Sequence, residues 1–391
     1  MAEAYIVSAT RTAGGRRGGR LKDWHPADLG GLVLDALVTR VGLDPAAIDD
    51  VIVGCVSQAG EQSAQVGRGM VLASSLPDSV PAVTIDRQCG SSQQAVQFAA
   101  QAVMSGTQDI VIAAGVESMT RVPMGLPSLL ATQSGIGSGP WSKKILDRYG
   151  VETFSQFAGA EMIAAKYGLD REDLDRFSLE SHRRAAAAAA CGAFDAEITP
   201  VEIINAEGTT TIHRTDEGVR SNASLESMAA VKLLQDGGVI TAASSSQICD
   251  GASGVVVVSE RALKAHGLTP LARIHNLTVT AGDPVIMLEE PIAATRRALD
   301  RAGMHIDDID LYEVNEAFAS IPLAWLQALG ADPKRLNVNG GAIALGHPLG
   351  ASGARLMSTM IHALRTRGQR YGLQTMCEGG GIANVTIVEA L

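Results

Sequence analysis

One of the five cysteines lies where a predicted strand is followed by a predicted helix. Cys89 follows a short β-type run at 82–85 and precedes a helical pattern that ends at Gly106. A thiol at the N-terminus of a helix faces the positive end of the helix dipole, so the sequence predicts a stabilised thiolate with a pKa below about 8.5. Free cysteines are often buried and structural. The three small residues that follow Cys89 favour a reactive nucleophile instead.

A single histidine stands among glycines near the C-terminus. Four glycines surround His347 in the segment 339–350 and allow close approach of the backbone. Histidine titrates near neutral pH and commonly activates a nucleophile. We therefore interpret His347 as a base, whereas the other seven histidines are interpreted as surface or core residues.

Two further polar residues follow predicted strands in the second half of the chain. Cys377 precedes the glycine run 379–381, whose consecutive backbone N–H groups can form a nest for a developing oxyanion. Asn315 follows the strand of an acidic turn, where its carboxamide could hold a water or an oxyanion. A core cysteine at the end of a strand is the alternative for Cys377, and Asn315 alone would indicate little.

The elements that must position these residues occur twice, as an internal repeat. A helix predicted at 29–41 ends at Gly42 and is followed by an acidic turn and a strand at 48–53. A second helix at 291–302, also ended by glycine, leads into the same pattern at 306–311. Each half therefore repeats helix, acidic turn and strand.

The repeat places the two candidate reactive residues at equivalent positions. Cys89 lies 39 residues after Asp50, and His347 lies 39 residues after Asp308. A β-type run precedes each of them and a strand follows later, at 82–85 and 109–113 in the first half and at 336–339 and 372–376 in the second. Strands that alternate with helices predict an α/β fold with mixed sheets, in which two similar halves pack together.

A stretch of different texture separates the halves. Residues 120–244 begin with a Gly-, Ser- and Pro-rich segment and become helical at 174–190, which is typical of an insertion with its own helices. The apolar run 255–258 predicts a buried strand that returns to the first half. The predicted division is 1–119 plus 245–268 for the first half, 120–244 for the insertion and 269–391 for the second half.

Taken together, these motifs resemble those of the thiolase family over essentially the whole chain. The matching segments, in the family's order, are 89–91, 315–318, 340–348 and 377–379. The resemblance implies a duplicated five-layer αβαβα fold with a loop domain inserted in the first half. It also implies an acyltransferase that cleaves 3-ketoacyl-CoA with coenzyme A, or runs the reverse Claisen condensation, through an acylated Cys89.

The same resemblance implies a role for each site residue. Cys89 is the expected nucleophile, His347 the base that removes its proton, and Cys377 the acid and base at the carbon next to the thioester carbonyl. The enolate oxygen is expected to face His347 and a water held by Asn315. The oxygen of the acyl-enzyme is expected to face the backbone N–H groups of Cys89 and Gly379.

Coenzyme A is the expected co-substrate, and no permanently bound cofactor or metal is expected. By resemblance, Ser246 contacts the pantetheine arm and Arg220 lies near the nucleotide end, although a solvated surface charge is the alternative for Arg220. The basic residues that could hold the phosphates lie mostly in or near the insertion: Lys143, Lys144, Arg183, Arg184, Arg220 and Lys232. The insertion is therefore expected to bind CoA and to contribute oligomer contacts.

Several residues depart from the pattern of many acetoacetyl-CoA-forming thiolases. Gln88, Ser92 and Gln93 stand near the nucleophile where those enzymes carry Leu and Gly-Leu, Glu378 replaces an apolar residue, and Cys249 stands where Asn or Ser is common. These departures resemble bacterial degradative thiolases, including actinobacterial lipid-degrading ones. They predict a role in the β-oxidation of fatty acids or other lipids with longer or bulkier acyl chains.

Composition and charge disfavour several other classes of protein. The net charge of −10 over 391 residues disfavours nucleic acid and anionic membranes as partners. The cysteines lack CxxC spacing, which disfavours a zinc site or a disulfide framework. The N-terminus lacks a signal-peptide pattern, and no window approaches the roughly 18 apolar residues that span a bilayer. A cytoplasmic protein without membrane insertion is expected and, by resemblance, a homodimer or homotetramer.

Two other functions remain open at this point. A 3-ketoacyl synthase shares the duplicated fold and a cysteine nucleophile, but that family pairs the cysteine with two histidines or with histidine and asparagine, and lacks a cysteine that matches Cys377. A non-catalytic lipid- or CoA-binding relative is the second alternative. The presence of Cys89, His347 and Cys377 together argues against it.

Overall fold

Strands and helices alternate along most of the chain. The computed structural model describes residues 2–204 and 207–391. The strands in these residues are β1 Ala4–Thr12, β2 Gly15–Arg16, β3 Asp50–Gly54, β4 Ala82–Ile85, β5 Ile110–Ser118, β6 Ile198–Thr199, β7 Val201–Ile204, β8 Thr210–His213, β9 Cys249–Ser259, β10 Ala272–Ala281, β11 Leu311–Val314, β12 Tyr371–Glu378 and β13 Ile382–Ala390. The helices are α1 Pro26–Val41, α2 Val66–Leu72, α3 Ser91–Ser105, α4 Leu126–Gln133, α5 Lys143–Tyr149, α6 Gln156–Tyr167, α7 Arg171–Ala190, α8 Leu225–Ala229, α9 Glu260–Ala265, α10 Glu290–Ala302, α11 Ser320–Leu329, α12 Ala342–Leu345 and α13 Ser352–Arg367.

The sheet topology repeats the same pattern in both halves. In the first half the strand order is β4-β3-β5-β9-β1, with β3 parallel to β4 and β5 and with β9 antiparallel to β5 and β1. In the second half the order is β11-β12-β13-β10, with β11 parallel to β12 and with β13 antiparallel to β12 and β10. A short antiparallel contact between β1 and β10 joins the two sheets. The predicted α/β duplication is confirmed.

Two helices lie between the sheets. Helix α3 packs on β3, β5 and β9 of its own half and on β13 of the other, while α13 packs on β1 and β9 as well as on β11 and β12. Apolar residues of both helices share one buried cluster with residues of both sheets. Helices α1 and α2 cover the outer face of the first sheet, and α10 and α11 cover that of the second. The result is the expected five-layer αβαβα arrangement.

The central helices approach each other closely at their N-termini. A methyl group at Gly353, in the first turn of α13, would overlap the backbone nitrogen of Gln93 in the first turn of α3 and lie 2.7 Å from its Cβ. Only glycine allows so close an approach of two backbones. Since Cys89 and His347 immediately precede these helices, this contact brings the two halves of the site together.

One predicted strand is replaced by a side-chain contact. Of residues 336–339, Leu336 forms an isolated parallel bridge with Tyr312, and Asn337 adopts a left-handed conformation with φ of 42°. The Asn337 carboxamide accepts a hydrogen bond from the N–H of Val314 and donates one to its carbonyl, both at 2.9 Å. Backbone hydrogen bonds pair Tyr312 with Arg335 and Asn337 (2.9 and 2.8 Å), and at Val314 the Asn337 side chain takes the place of further ladder bonds.

The segment between β5 and β9 carries α4 to α8 and the strands β6, β7 and β8. Helix α7 contains the predicted helical run, and the buried residues Val255–Val258 lie in β9, between β1 and β5. Within residues 2–204 and 207–391, no helix combines the length and the apolar character needed to cross a membrane.

Candidate active site

A tight turn presents Cys89 at the start of α3. The Ser91 hydroxyl accepts a hydrogen bond from the N–H of Arg87 (2.9 Å) and donates one to the carbonyl of Gln88 (2.6 Å). Gln88 has a positive φ of 48°, which is uncommon for a residue other than glycine. The hydroxyl therefore holds the strained turn that places Cys89 between β4 and α3, at the predicted strand-to-helix junction.

The predicted direction of the Cys89 pKa shift was wrong. Cys89 is 9% exposed, and its burial raises the pKa of its thiol to about 12. A charged thiolate loses solvation in this surrounding, and this loss outweighs the favourable end of the helix. In the resting enzyme Cys89 is therefore a neutral thiol that needs a base.

His347 is oriented to act as that base. Its Nδ1 lies 2.5 Å from the Ser352 hydroxyl oxygen, and this hydroxyl donates to the carbonyl of Pro348 at 2.9 Å. Because the single hydroxyl proton is used there, Nδ1 must carry the proton that it shares with Ser352. The other ring nitrogen, Nε2, lies 3.4 Å from Nδ2 of Asn315, which is a donor. Nε2 is therefore the unprotonated, basic nitrogen.

The surroundings keep His347 uncharged. Its ring is 3% exposed, and burial together with the nearby Arg355 guanidinium lowers its pKa to about 3. Arg355 is itself buried, and it donates to the carbonyl of Leu345 in the loop that carries the histidine (3.0 Å). The resting pair is therefore thiol and neutral imidazole, in which the imidazole can accept a proton during the reaction.

Cys377 and Gly379 reach the same place from the second half. Cys377 lies near the end of β12 at 1% exposure, and burial followed by the proximity of Cys89 raises its pKa well above the ordinary value. A methyl group at Gly379 would lie 3.0 Å from Oε1 of Gln88, so the glycine loop lies directly against the nucleophile turn. A neutral thiol in this position can give a proton to carbon, and the thiolate that remains can take one back.

Asn315 joins the site through the loop that leads to α11. It is 1% exposed, and its Oδ1 has no hydrogen-bond donor among the described residues. The neighbouring Glu316 accepts hydrogen bonds from Ser181 of α7 (2.7 Å), from Asn337 (2.8 Å) and from the N–H of Ile343 (3.1 Å). Glu316 thus fixes the asparagine loop to the loop that carries His347 and leaves the Asn315 carbonyl oxygen available to a water.

Two cavities meet at the site. The first, of about 550 Å³, contains His347, Ser246 and Arg220 in its lining. The second, of about 400 Å³, contains Cys89 and Gly379. Leu349, Met124 and Gln156 line both cavities. Substrate parts on either side of a scissile bond could therefore occupy different cavities, with the reactive residues between them.

The first cavity also contains basic residues from an unexpected segment. Arg16 at the end of β2 and Arg17 directly after it line this cavity beside Arg220. Arg16 faces Glu217 at 3.7 Å, whereas Arg17 and Arg220 have no ion pair within the described parts of the chain. Of the six basic residues named from the sequence, Arg184 is bound elsewhere, to Glu180 and to the carbonyl of Leu336.

A buried histidine positions Arg220. His182 of α7 accepts a hydrogen bond from the N–H of Arg220 at 3.2 Å. Burial and the nearby Arg220 guanidinium lower the pKa of His182 to about 4. The ring therefore stays neutral and can accept this hydrogen bond. Ser246 is held by its N–H, which donates to the carbonyl of Ala317 at 2.9 Å. Both predicted binding residues therefore line the same cavity, as expected from the sequence.

The second cavity is larger than a four-carbon acyl group requires. Apolar residues of the inserted segment and of the second half line it: Met124, Pro127, Trp141, Phe154 and Met287. Gln88 lines it as well, but Ser92 and Gln93 do not. Ser92 accepts from the N–H of Ala354 (2.9 Å), and Gln93 donates to Thr386 and to the carbonyl of Gln374 (both 3.1 Å), so these two residues join α3 to the second half.

Sequence analysis missed two residues that organise the site. Glu117, in the otherwise apolar strand β5, accepts hydrogen bonds from the N–H groups of Val56, Ser57 and Gly350 (2.9 to 3.0 Å). The Gln247 carbonyl accepts from the N–H of His347 (2.9 Å). A carboxylate in a buried strand was a signal for Glu117, whereas no signal marked Gln247.

Two family matches divide the chain in the same way as the two halves of the fold. Residues 4–261 match the family described as "Thiolase, N-terminal domain", and residues 268–390 match "Thiolase, C-terminal domain". The chain belongs to the thiolase family. No group of three or more His, Cys, Asp or Glu side chains that could hold a metal ion occurs in the described part of this thiolase.

Several relatives match this thiolase over its whole length. A steroid 3-ketoacyl-CoA thiolase of Mycobacterium tuberculosis is 54% identical, with 100% of this chain and 95% of the relative covered. An acetyl-CoA acetyltransferase of Cupriavidus necator is 41% identical, with both chains fully covered. The crystal structure of human mitochondrial 3-ketoacyl-CoA thiolase superposes with a TM-score of 0.89 at 34% identity, covering 100% of this chain and 99% of the human one.

Proposed function

We propose that this protein is a degradative thiolase that cleaves 3-ketoacyl-CoA substrates with acyl groups longer or bulkier than acetoacetyl. The observation that carries the proposal is that Cys89 lines one cavity with the buried Cys377 close to it, while His347 lines the adjoining cavity. The reaction releases acetyl-CoA and a shortened acyl-CoA, and the same residues run the reverse Claisen condensation.

In the first step Nε2 of His347 takes the proton of Cys89, and the sulfur attacks the 3-keto carbon. The bond between carbons 2 and 3 breaks, which leaves the acyl group on Cys89 and expels the enolate of acetyl-CoA. Cys377 gives its proton to carbon 2 of that enolate. A water on Asn315 and His347 stabilise the enolate oxygen while its charge develops.

In the second step the thiol of coenzyme A attacks the acyl-Cys89 thioester, the bond between the acyl carbon and the Cys89 sulfur breaks, and His347 returns its proton to that sulfur. Cys377, now a thiolate, takes the proton of the incoming thiol, which restores its starting state. The carbonyl oxygen faces the N–H groups of Cys89 and Gly379. Loss of one such donor typically costs about 10²–10³ in rate.

Coenzyme A occupies the cavity lined by His347, Ser246 and Arg220, in this proposal. Ser246 contacts the pantetheine arm, and Arg220 with Arg17 provides the positive charge for the phosphates. Both guanidinium groups lack a carboxylate partner in the described residues, which leaves them available to an anion. Residues 120–244 form the inserted loop domain that supplies much of this cavity, between a first half of 1–119 plus 245–268 and a second half of 269–391.

The acyl group occupies the cavity lined by Cys89 and the apolar side chains of the inserted segment. Its volume of about 400 Å³ supports acyl groups much larger than a four-carbon chain. The printed name of the relative at 54% identity, a steroid 3-ketoacyl-CoA thiolase, supports the same assignment. We further propose a role in lipid β-oxidation in the cytoplasm, as a homodimer or homotetramer.

Turnover of a series of 3-ketoacyl-CoA thioesters with coenzyme A tests the proposal. Loss of the absorbance of the Mg²⁺-enolate gives kcat/KM for each chain length, and mass spectrometry follows the acyl adduct on Cys89. We expect medium-chain or bulky substrates to exceed acetoacetyl-CoA in kcat/KM. A strong preference for acetoacetyl-CoA would refute the substrate assignment. Acylation without any thiolysis would instead favour a function like that of a 3-ketoacyl synthase.

A further inference from the structure

One buried carboxyl group beside Cys89 takes no part in these proton transfers. Glu378, the last residue of β12, lies between Cys377 and Gly379 and is 0% exposed. Neither of its carboxyl oxygens has a hydrogen-bond partner among the described residues. A carboxylate in such a place would lose its solvation without compensation, which is strongly unfavourable.

The Glu378 carboxyl lies against the turn that presents the nucleophile. Because successive side chains of a strand point to opposite faces, Glu378 points away from Cys377 and towards α3. A methyl group at Gly90 would overlap Oε1 of Glu378 and lie 2.8 Å from Nδ2 of Asn384. Asn384 also donates from Nδ2 to the carbonyl of Gly90 at 3.1 Å. The two side chains of the second half therefore converge on the residue next to the nucleophile.

The buried acceptor oxygens at this contact require a proton on Glu378. Oδ1 of Asn384 lacks a donor in the described residues, as do both oxygens of Glu378. Three buried acceptor oxygens thus lie around Gly90 without a donor. A single proton on the carboxyl converts one of these acceptors into a donor, whereas an ionised carboxylate leaves all three unsatisfied.

The charges that face Glu378 agree with the neutral form. Burial raises the pKa of this carboxyl well above its usual value; the Arg87 guanidinium acts in the opposite direction and the Asp86 carboxylate in the same one. The remaining titratable neighbours are the buried thiols Cys89 and Cys377. A negative charge at Glu378 would oppose the thiolate that Cys89 must form.

We propose that Glu378 is a positioning residue for the nucleophile, which as a neutral carboxylic acid packs the end of β12 against Gly90, the residue between Cys89 and α3. Cys89 comes from the first half of the chain, whereas Cys377 and Gly379 come from the second. The contact of Glu378 and Asn384 with Gly90 sets the distance from Cys89 to Cys377 and Gly379. It does so without adding a charge beside the Cys89 thiol. This assignment rests on the proposed function, because it concerns the nucleophile of the same site.

Two variants of Glu378 test the proposal. Glu378→Gln keeps the shape, the absence of charge and a donor, whereas Glu378→Leu keeps the volume and removes the donor. We expect E378Q to acylate Cys89 and to turn over within threefold of the wild-type protein. E378L is expected to lose tenfold or more in kcat with little change in KM for coenzyme A. A kcat that is retained in E378Q but lost in E378L distinguishes a positioning role of Glu378 from a role that only fills space.

A second measurement reports the charge of Glu378 without any thiolase substrate. Alkylation of Cys89 by iodoacetamide at pH 7, mapped on the Cys89 peptide, is expected to differ less than threefold between E378Q and the wild-type protein. Acceleration by tenfold or more in E378Q would show that Glu378 is ionised and would overturn the proposal. This result is independent of whether any 3-ketoacyl-CoA is cleaved, so failure of the proposed function would be seen separately.

Other outcomes are equally decisive. Equal kcat for E378L and the wild-type protein would show that Glu378 only fills space, and equal loss in E378Q and E378L would exclude a neutral donor. Glu313→Gln is the matched control, since Glu313 is also a buried carboxyl on a strand of the second sheet with an unpartnered oxygen. Its substitution is expected to leave the Cys89 alkylation rate unchanged. Thermal unfolding of each variant confirms that it folds.

Discussion

The approach of the two central helices predicts that Gly353→Ala damages both stability and catalysis. The new methyl group would overlap the backbone nitrogen of Gln93 and lie 2.7 Å from its Cβ and 2.8 Å from its Cα. Ordinary van der Waals contact begins at about 3.4 Å, so α13 must move away from α3 by roughly 1 Å. Backbone atoms cannot rotate out of the way as a flexible side chain would.

The expected magnitudes follow from this displacement. Overpacking in a tight core costs about 1–3 kcal/mol, and the better helix propensity of alanine offsets at most about 1 kcal/mol of it. Cys89 lies two residues before α3, and His347 lies five residues before α13 and bonds to Ser352 in its first turn. Misplacement of reacting groups by about 1 Å can cost on the order of 10² in rate. We therefore expect a lower melting temperature together with a loss of kcat near 10².

Thermal unfolding and the kcat of thiolysis, measured on the same preparation, check this prediction. Gly69→Ala is the matched control, because Gly69 also lies in a helix and its new methyl group would meet Ala27 Cβ at 3.3 Å, without any backbone overlap. The control is expected to retain its activity. If Gly353→Ala unfolds at the temperature of the control and keeps kcat within twofold, the central helices do not set the geometry of the site.

Three further predictions concern individual residues. Cys377→Ala should still acylate Cys89, if slowly, but exchange of the acetyl-CoA methyl hydrogens with D₂O should fall by about 10² or more; near-normal exchange would show that Cys377 is not the carbon base. With a pKa of about 12, the alkylation of Cys89 in the resting enzyme should rise about tenfold for each pH unit between 7 and 10, which peptide mapping after timed alkylation can follow; a Cys89 alkylation rate that does not change with pH would contradict this. Arg17→Ala and Arg220→Ala should each raise KM for coenzyme A several-fold with little change in kcat, and unchanged KM in both would remove these guanidinium groups from the CoA site.

Local patterns in the sequence were sufficient for the architecture. The helix ends at Gly42, Gly106 and Gly303 were predicted because glycine readily adopts the left-handed conformation that ends many helices. In the structure these glycines have φ of 61°, 77° and 64°. The repeat was visible because both halves bury the same faces of the same elements. Residues 336–339 were interpreted as a strand because their composition resembles one. The hydrogen bonds of the Asn337 side chain, which replace the strand ladder, depend on a partner strand distant in sequence.

The candidate reactive residues could also be named from the chain, since Cys89, His347 and Cys377 each stand beside glycines at the end of a predicted element. Their protonation states were not. The helix N-terminus is a local feature and favours a thiolate, but the burial of Cys89 comes from the packing of two halves whose sequences lie far apart. Tertiary structure therefore reversed the predicted shift, because solvation of a charge depends on everything that surrounds it and not on the segment that carries it.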